Sequence, residues 1–247
     1  MKISKVKLLL IDVQGGSTLD PIIKNFRNVY VPEGPPARMI WAEDNPPTCT
    51  MTYSEIYPNR TSTHHSHPWE HEIFIIKGSG TLVCDGVEHN IRSGDAIYIP
   101  PNSDHYTLNN GGQGVIRRIE VNPLSALQSE TQPEIAEDKI NQPPIIKNLD
   151  TVDQTSGPAR TIIGTDDGVE TYTLSFRGLL KDECSPKHIH SGEHLAFFLE
   201  GTAILECDGQ DFFVAEGDAI LVSGDTSHEW RSNSDNSAKW LVFNPVQ

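Results

Sequence analysis

The chain of 247 residues is long enough for one large domain or two of ordinary size. Its 19 Lys plus Arg against 34 Asp plus Glu give a formal net charge of −15, and because phosphate backbones and anionic bilayers require a basic face, no nucleic-acid or membrane-surface partner is expected. No apolar run approaches the roughly 20 residues of a membrane span.

The start, Met1-Lys2-Ile3-Ser4-Lys5-Val6-Lys7, is basic, but its apolar run (8–11) ends at Asp12. That is too short for a signal peptide, so a cytoplasmic protein is the expectation. Residues 1–50 alternate turn signals (Gly15-Gly16, Pro32-Glu33-Gly34-Pro35-Pro36, Asn45-Pro46-Pro47) with short apolar pieces at 6–13 and 37–41. They read as strands and loops that cover or extend the first unit. Residues 50–56 alternate as a strand does. Then come His65, His67 and His71. His65 and His67, two apart, share a face on extended chain, and His71 opens the apolar run 73–76. Short strands and turns follow as far as Arg118. Asp85-Gly86 reads as a hairpin turn, and Gly94-Asp95-Ala96-Ile97-Tyr98-Ile99-Pro100 leads to Asn102 and His105. Residues 115–121 close the first unit at Asn122-Pro123.

Residues 124–144 read as a linker. The stretches 124–128 and 133–140 suit short helices, with Pro133 at a helix start, and Pro143-Pro144 ends the stretch. From Ile145 the succession of strands repeats. The expected division is therefore 1–123, a partly helical linker at 124–144, and 145–247.

The repeat is a duplication. His188, His190, His194 and His228 lie 123 residues after His65, His67, His71 and His105, and Gly201 and Gly217 follow Gly78 and Gly94 at the same offset. Of the 51 positions from 59 to 109, 16 are identical to their counterparts, where chance gives roughly three. Eight of the ten histidines fall on repeated positions. His64 and His89 do not repeat and read as structural or exposed. Cys84 and Cys207 each precede Asp-Gly and read as small buried hydrophobes. Neutral imidazole is the commonest protein metal ligand at neutral pH, so each quartet is read as a metal site.

The pattern His-x-His-x3-His-x6-Gly, followed by Gly-x5-Pro-x-Asn-x2-His-x3-Asn, resembles the two motifs of the cupin superfamily. The resemblance covers residues 45–122 and 168–245 and implies an all-β chain of two tandem double-stranded β-helix (jelly-roll) barrels, a bicupin. The third ligand of that pattern is usually Glu. Here it is His71 and His194, so both halves resemble the four-histidine type. His-Pro-Trp-Glu-His-Glu is similar to small single-cupin metalloproteins, and the whole chain to quercetinase-like bicupins. Two positions depart from the pattern: its first Gly is Asn59 and Asp182, and the second-motif Pro is Ser223 in the second half.

Four neutral imidazoles leave a divalent charge uncompensated and leave positions open on an ion that takes five or six ligands. Imidazole suits Fe, Cu, Ni and Zn, and the resemblance adds Mn; one ion per unit is expected. Ile73, Ile75 and Thr107, with Ala196, Phe198 and Trp230 in the repeat, share the ligands' register, so the pocket reads as largely apolar. Glu70 and Glu193 alternate away from it and read as solvated or supporting carboxylates. No residue stands out as a catalytic base. Three classes of function follow: a dioxygenase acting on an enolic, diketone or flavonol-like small molecule together with dioxygen, a non-oxidative isomerase or lyase, and a non-catalytic metal- or ligand-binding bicupin. Oxygen uptake separates the first two, and an ion with no open position favours the third. Monomer and homodimer both remain open. The Pro100-Pro101-Asn102 loop, stiffer than Ser223-Gly224-Asp225, together with the bulk of Phe198 and Trp230, points to the first site as the active one.

Overall fold

The structure is a computed structural model that describes residues 20–110, 114–127, 142–151, 159–233 and 237–246. Among the described residues each half contributes nine strands. The first nine are β1 (Ile22–Asn25), β2 (Ala37–Ile40), β3 (Cys49–Ile56), β4 (His71–Lys77), β5 (Ser79–Cys84), β6 (Val87–Arg92), β7 (Asp95–Ile99), β8 (His105–Leu108) and β9 (Ile116–Pro123). The second nine are β10 (Ile145–Asn148), β11 (Arg160–Ile163), β12 (Tyr172–Leu179), β13 (His194–Glu200), β14 (Thr202–Cys207), β15 (Gln210–Ala215), β16 (Asp218–Val222), β17 (His228–Ser232) and β18 (Ala238–Pro245). Both Asp-Gly hairpins have positive φ at both turn residues, the mirror-image geometry that matches strand twist. Gly78 and Gly201 also have positive φ, and a Cβ there would meet the backbone oxygens of Val115 and Ser237, so the motif position admits no side chain. Asn59 and Asp182 adopt the left-handed conformation, which Asn and Asp tolerate in place of the expected Gly.

Each half closes a six-stranded sheet over a three-stranded one: β10-β7-β4-β9-β3-β2 over β6-β5-β8, and β1-β16-β13-β18-β12-β11 over β15-β14-β17. The edge strands are exchanged. β1 pairs with β16 of the second barrel and β10 with β7 of the first. Asn25 and Asn148 fix this by donating to Asp218 (2.7 Å) and Asp95 (2.6 Å). The expectation that residues 1–50 serve the first barrel is therefore corrected for β1, whereas β2 does extend the first sheet. The stretch 6–13 lies outside the described residues. In the linker, Leu124–Leu127 is a 3₁₀ turn, and residues 128 and 133–140 of the expected helices lie outside the described residues. No helix among the described residues is long and apolar enough to cross a membrane.

The outer faces of the two large sheets pack on each other. Their shared core joins Met51, Tyr53, Phe74 and Val121 to Tyr172, Phe176, Phe197 and Phe243. Fully burying side chains of this size stabilises by about 1.5–3 kcal/mol each. Alternation then sends the opposite residues of the same strands into the barrels, which puts His71 inside the first and Phe74 in the interface. Cys49, Cys84 and Cys207 are buried and all four cysteines are free thiols.

Glu72 breaks the pattern. It lies on the interface face of β4, 2% exposed, and neither carboxyl oxygen has a hydrogen-bond partner among the described residues. Burial, then the neighbouring Glu70 and Asp167, pushes its acid group well above the usual range. A carboxyl whose folded pKa is raised contributes its stability below the unfolded value and loses it as the pH rises through the folded one. The equivalent residue is a buried Leu195. Glu72→Leu is expected to raise stability at pH 7 by about 1–3 kcal/mol, and by less at pH 4. Urea unfolding at both pH values checks this, and a less stable variant at pH 7 contradicts it.

Candidate metal centres

The strands bring each quartet of histidines to one place. His65 and His105 form an antiparallel bridge, as do His188 and His228. The ring centroid of His71 lies 4.7 Å from those of His67 and His105 and 6.4 Å from that of His65. Ligand nitrogens of His188, His190, His194 and His228 fall within 4.8 Å of one another, as do those of His65, His67 and His105, whereas His71 falls outside that span in the first barrel.

In seven of the eight rings Nδ1 meets an oxygen. His65 Nδ1 donates to the Thr63 carbonyl (3.0 Å), His67 to Trp69 (2.7 Å), His105 to Ser103 (2.8 Å), His188 to Pro186 (2.9 Å) and His228 to Thr226 (2.8 Å). His71 and His194 donate to the side-chain oxygens of Asn122 (3.2 Å) and Asn244 (2.8 Å). A carbonyl accepts only a proton, so Nδ1 carries it and the lone pair is left on Nε2. The Nε2 atoms of His67, His71, His105 and His228 are buried without a partner among the described residues, and those of His190 and His194 lie 2.8 Å apart. Buried acceptors converging in this way want a cation. The donor set fits a divalent transition ion in each barrel.

Burial is the main cause that lowers these imidazoles, with the neighbouring rings adding to it: His67 to about 4, His194 to about 3, and His71, His105 and His228 also downward. A lowered folded pKa means that stability is full above the unfolded value near 6.5 and falls as the pH drops toward the folded values. The expected consequence is that metal is retained to well below pH 6.5, with the apo fold losing stability over the same interval. Metal content across a series of dialyses at pH 7 to pH 4 checks this, and loss complete by pH 6 contradicts it.

The remaining expectations divide. His64 is exposed, pairing with Asp104 and lying on Tyr106. Trp69 stacks on His67 at 4.6 Å. Tyr98 lies in the interface, where its hydroxyl donates to Glu70. Glu70 and Glu193 do point away from the rings, but they are 5% exposed rather than solvated, gripped by the opposite barrel. The loop at Ser223 is not looser in its contacts: Asp225 N donates to His190 O at 2.7 Å, as Asn102 N does to His67 O.

The first pocket is less apolar than its sequence register suggested. Ile73 and Ile75 are inside, but so is the buried Arg118, whose guanidinium reaches Ser54 (3.1 Å), Thr107 (3.3 Å) and Glu120 (3.3 Å). Glu120 is 18% exposed and its carboxylate lies 3.7 Å from His71 Nδ1. Burial alone would push it up. His71, Arg118 and the Asn122 amide outweigh burial and hold it at about 2. A cleft of about 650 Å³ opens onto Glu120, Asn122 and Thr52, walled by Val31, Pro36 and Trp41. In the second barrel, strand register replaces Arg118 and Glu120 with Trp240 and Val242. Phe198, Trp230 and Trp240 lie against one another in that interior with ring centroids 5.1–5.6 Å apart.

The cupin domain family model matches residues 52–120 and 179–244, together more than half of the chain. The chain belongs to the cupin family. Solved structures similar to this cupin include a salicylate 1,2-dioxygenase from Pseudaminobacter salicylatoxidans (TM-score 0.71, 14% identity, 97% of this chain and 87% of that one). They also include a cupin 2 conserved barrel domain protein from Leptotrichia buccalis (TM-score 0.64, 17% identity, 93% and 98%). At these identities the likeness is one of fold, and it establishes two tandem cupin barrels. Among curated proteins, the dimethylsulfoniopropionate lyase DddW of Ruegeria pomeroyi is 33% identical over 66 residues, which is 27% of this chain. The match spans 43% of that relative's length.

Proposed function

We propose that this cupin is a metal-dependent enzyme whose first barrel carries the activity, a dioxygenase of small enolic, diketone or flavonol-like substrates. The observation that carries the reading is the contrast between the two interiors. Both have converging imidazoles, but the first interior carries Arg118 and Glu120, the latter also lining a cleft, whereas strand register puts Trp240 and Val242 at those positions in the second, beside Phe198 and Trp230. In the proposed assignment His65, His67, His71 and His105 hold one ion, and His188, His190, His194 and His228 hold a second. An ion such as Fe, Mn, Ni or Cu supplies Lewis-acid polarisation and redox chemistry with dioxygen, whereas Zn supplies only the former.

The chain's own residues do the rest. Ile73, Ile75 and Ile99 keep water out of one end of the barrel. Glu120, ionised and fixed by Arg118, presents a carboxylate to whatever enters the cleft, where it accepts a hydrogen bond from an acidic hydroxyl of a substrate seated beside His71. The local similarity to a lyase favours a second reading, in which a proton is taken and a bond broken without oxygen. An oxygen electrode run with a panel of enolic and 1,3-diketone compounds decides between them. Consumption of about one dioxygen per substrate is expected. Product formation at full rate under nitrogen would overturn the dioxygenase in favour of the lyase.

A further inference from the structure

Two of the proposed metal-binding histidines in each barrel sit at the ends of one five-residue segment. In the first barrel this is His67-Pro68-Trp69-Glu70-His71. Its parts hold one another. Trp69 takes the His67 Nδ1 proton on its carbonyl and stacks its ring on His67, and its Nε1 donates to Asn122 Oδ1 (3.3 Å), the same oxygen that receives His71 Nδ1. The segment is held from outside by Glu70, and most of what grips Glu70 belongs to the other barrel. Glu70 Oε1 accepts from Glu170 N (2.8 Å), Thr171 N (2.7 Å) and Thr171 Oγ1 (2.6 Å), while Tyr98 of its own barrel donates to Oε2 (3.0 Å). Three charge-assisted hydrogen bonds on one buried oxygen make a stiff attachment. The arrangement is reciprocal. Thr48, 123 residues before Thr171, donates from Oγ1 to Glu193 Oε1, and Glu193 immediately precedes His194.

We propose that Glu70 and Glu193 are positioning residues, each fixing the histidine segment of its own metal centre on the opposite barrel, so that neither centre is complete without the other half of the chain. The inference rests on the reading of the histidines as metal ligands. It makes a prediction that ordinary interface packing does not: a substitution in one barrel weakens metal binding in the other. Interface packing alone lowers stability and leaves the affinity of a folded site where it was.

The test uses the full-length chain and cobalt(II), read by its visible absorption against a competing chelator. His190→Ala isolates the first site and His67→Ala the second. In the first background Glu70→Ala is expected to weaken cobalt binding by about 10- to 100-fold, the range usual for losing a partner that orients a ligand. Thr171→Val, which leaves the first barrel's sequence untouched, is expected to weaken the first site roughly fivefold through one lost hydrogen bond and to leave the second site unchanged. Thr48→Val does the reverse. If Glu70→Ala fails to fold, the two threonine variants carry the test. Unchanged first-site affinity in Thr171→Val, or a loss at the second site instead, overturns the inference while leaving the metal assignment intact. A parent chain that takes up no cobalt overturns the metal assignment and this inference together.

Discussion

Replacing His67 with Ala is expected to remove about one metal ion per chain and to lower turnover at least 100-fold, whereas His190→Ala is expected to remove one ion and leave turnover within a fewfold of the parent. The metal losses follow from the same geometry in both barrels, since His67 and His190 each project from the loop that closes on Asn102 or Asp225. The difference in turnover follows from what surrounds each ion. Beside the first quartet stand Glu120 and Arg118 and a cleft of about 650 Å³. Beside the second stand Trp230, Trp240 and Phe198, in mutual contact. Those rings take up space that Ile75, Thr107 and Arg118 leave to a substrate in the first barrel, so turnover is expected there. Steady-state rates and metal analysis on the two variants check the expectation. Abolished turnover in His190→Ala with the first variant unaffected would reverse the assignment of the two barrels.

Removing metal is expected to leave a folded but less stable protein. The strands that carry the histidines are held by backbone ladders and by packed apolar side chains, among them Ile73, Leu82 and Ile97 in the first barrel and Leu205, Val214 and Ile220 in the second, so the barrels are expected to form without the ion. An ion at 100 times its Kd stabilises the native state by about 2.7 kcal/mol per site. At about 2–4 °C per kcal/mol for a chain of this size, that is about 5–10 °C per filled site. Melting with and without a chelator measures it. A midpoint unchanged after verified loss of metal would contradict it, and so would an apo form without cooperative melting.

Much of this was legible in the residues, because the duplication states the same motif twice. The eight histidines, the Asp-Gly hairpins and the inward register of Ile73, Ile75, Thr107, Phe198 and Trp230 are local patterns of spacing and alternation. What was missed depends on pairings distant in sequence. Arg118 and Glu120 belong to no motif and lie 13 and 15 residues beyond His105 on a closing strand. The available signal was two charged residues in the register of the inward-facing Ile116, on a strand whose repeat reads Trp240 and Val242. Asn122 and Asn244 likewise emerge only once β9 and β18 are laid beside β3 and β12. The strand exchange had a signal too, since Ile22-Ile23-Lys24-Asn25 recurs as Ile145-Ile146-Lys147-Asn148 at the same offset of 123. Sequence shows that the tetrapeptide matters in both halves, but not that each copy joins the other half's sheet. Proline content misled at Ser223. Gly224 lies so close to the Ser191 carbonyl that no side chain fits, so the loop is fixed by contact rather than by ring closure.

That these imidazoles hold metal is tested most directly by the metal content of the purified chain together with its X-ray absorption at the metal edge. Two ions per chain, each surrounded by three or four imidazole nitrogens with room for a further light-atom ligand, are predicted. A chain free of metal after reconstitution with Fe, Mn, Ni, Cu and Zn in turn, or an ion bound by sulfur or by carboxylates without imidazole, would contradict it.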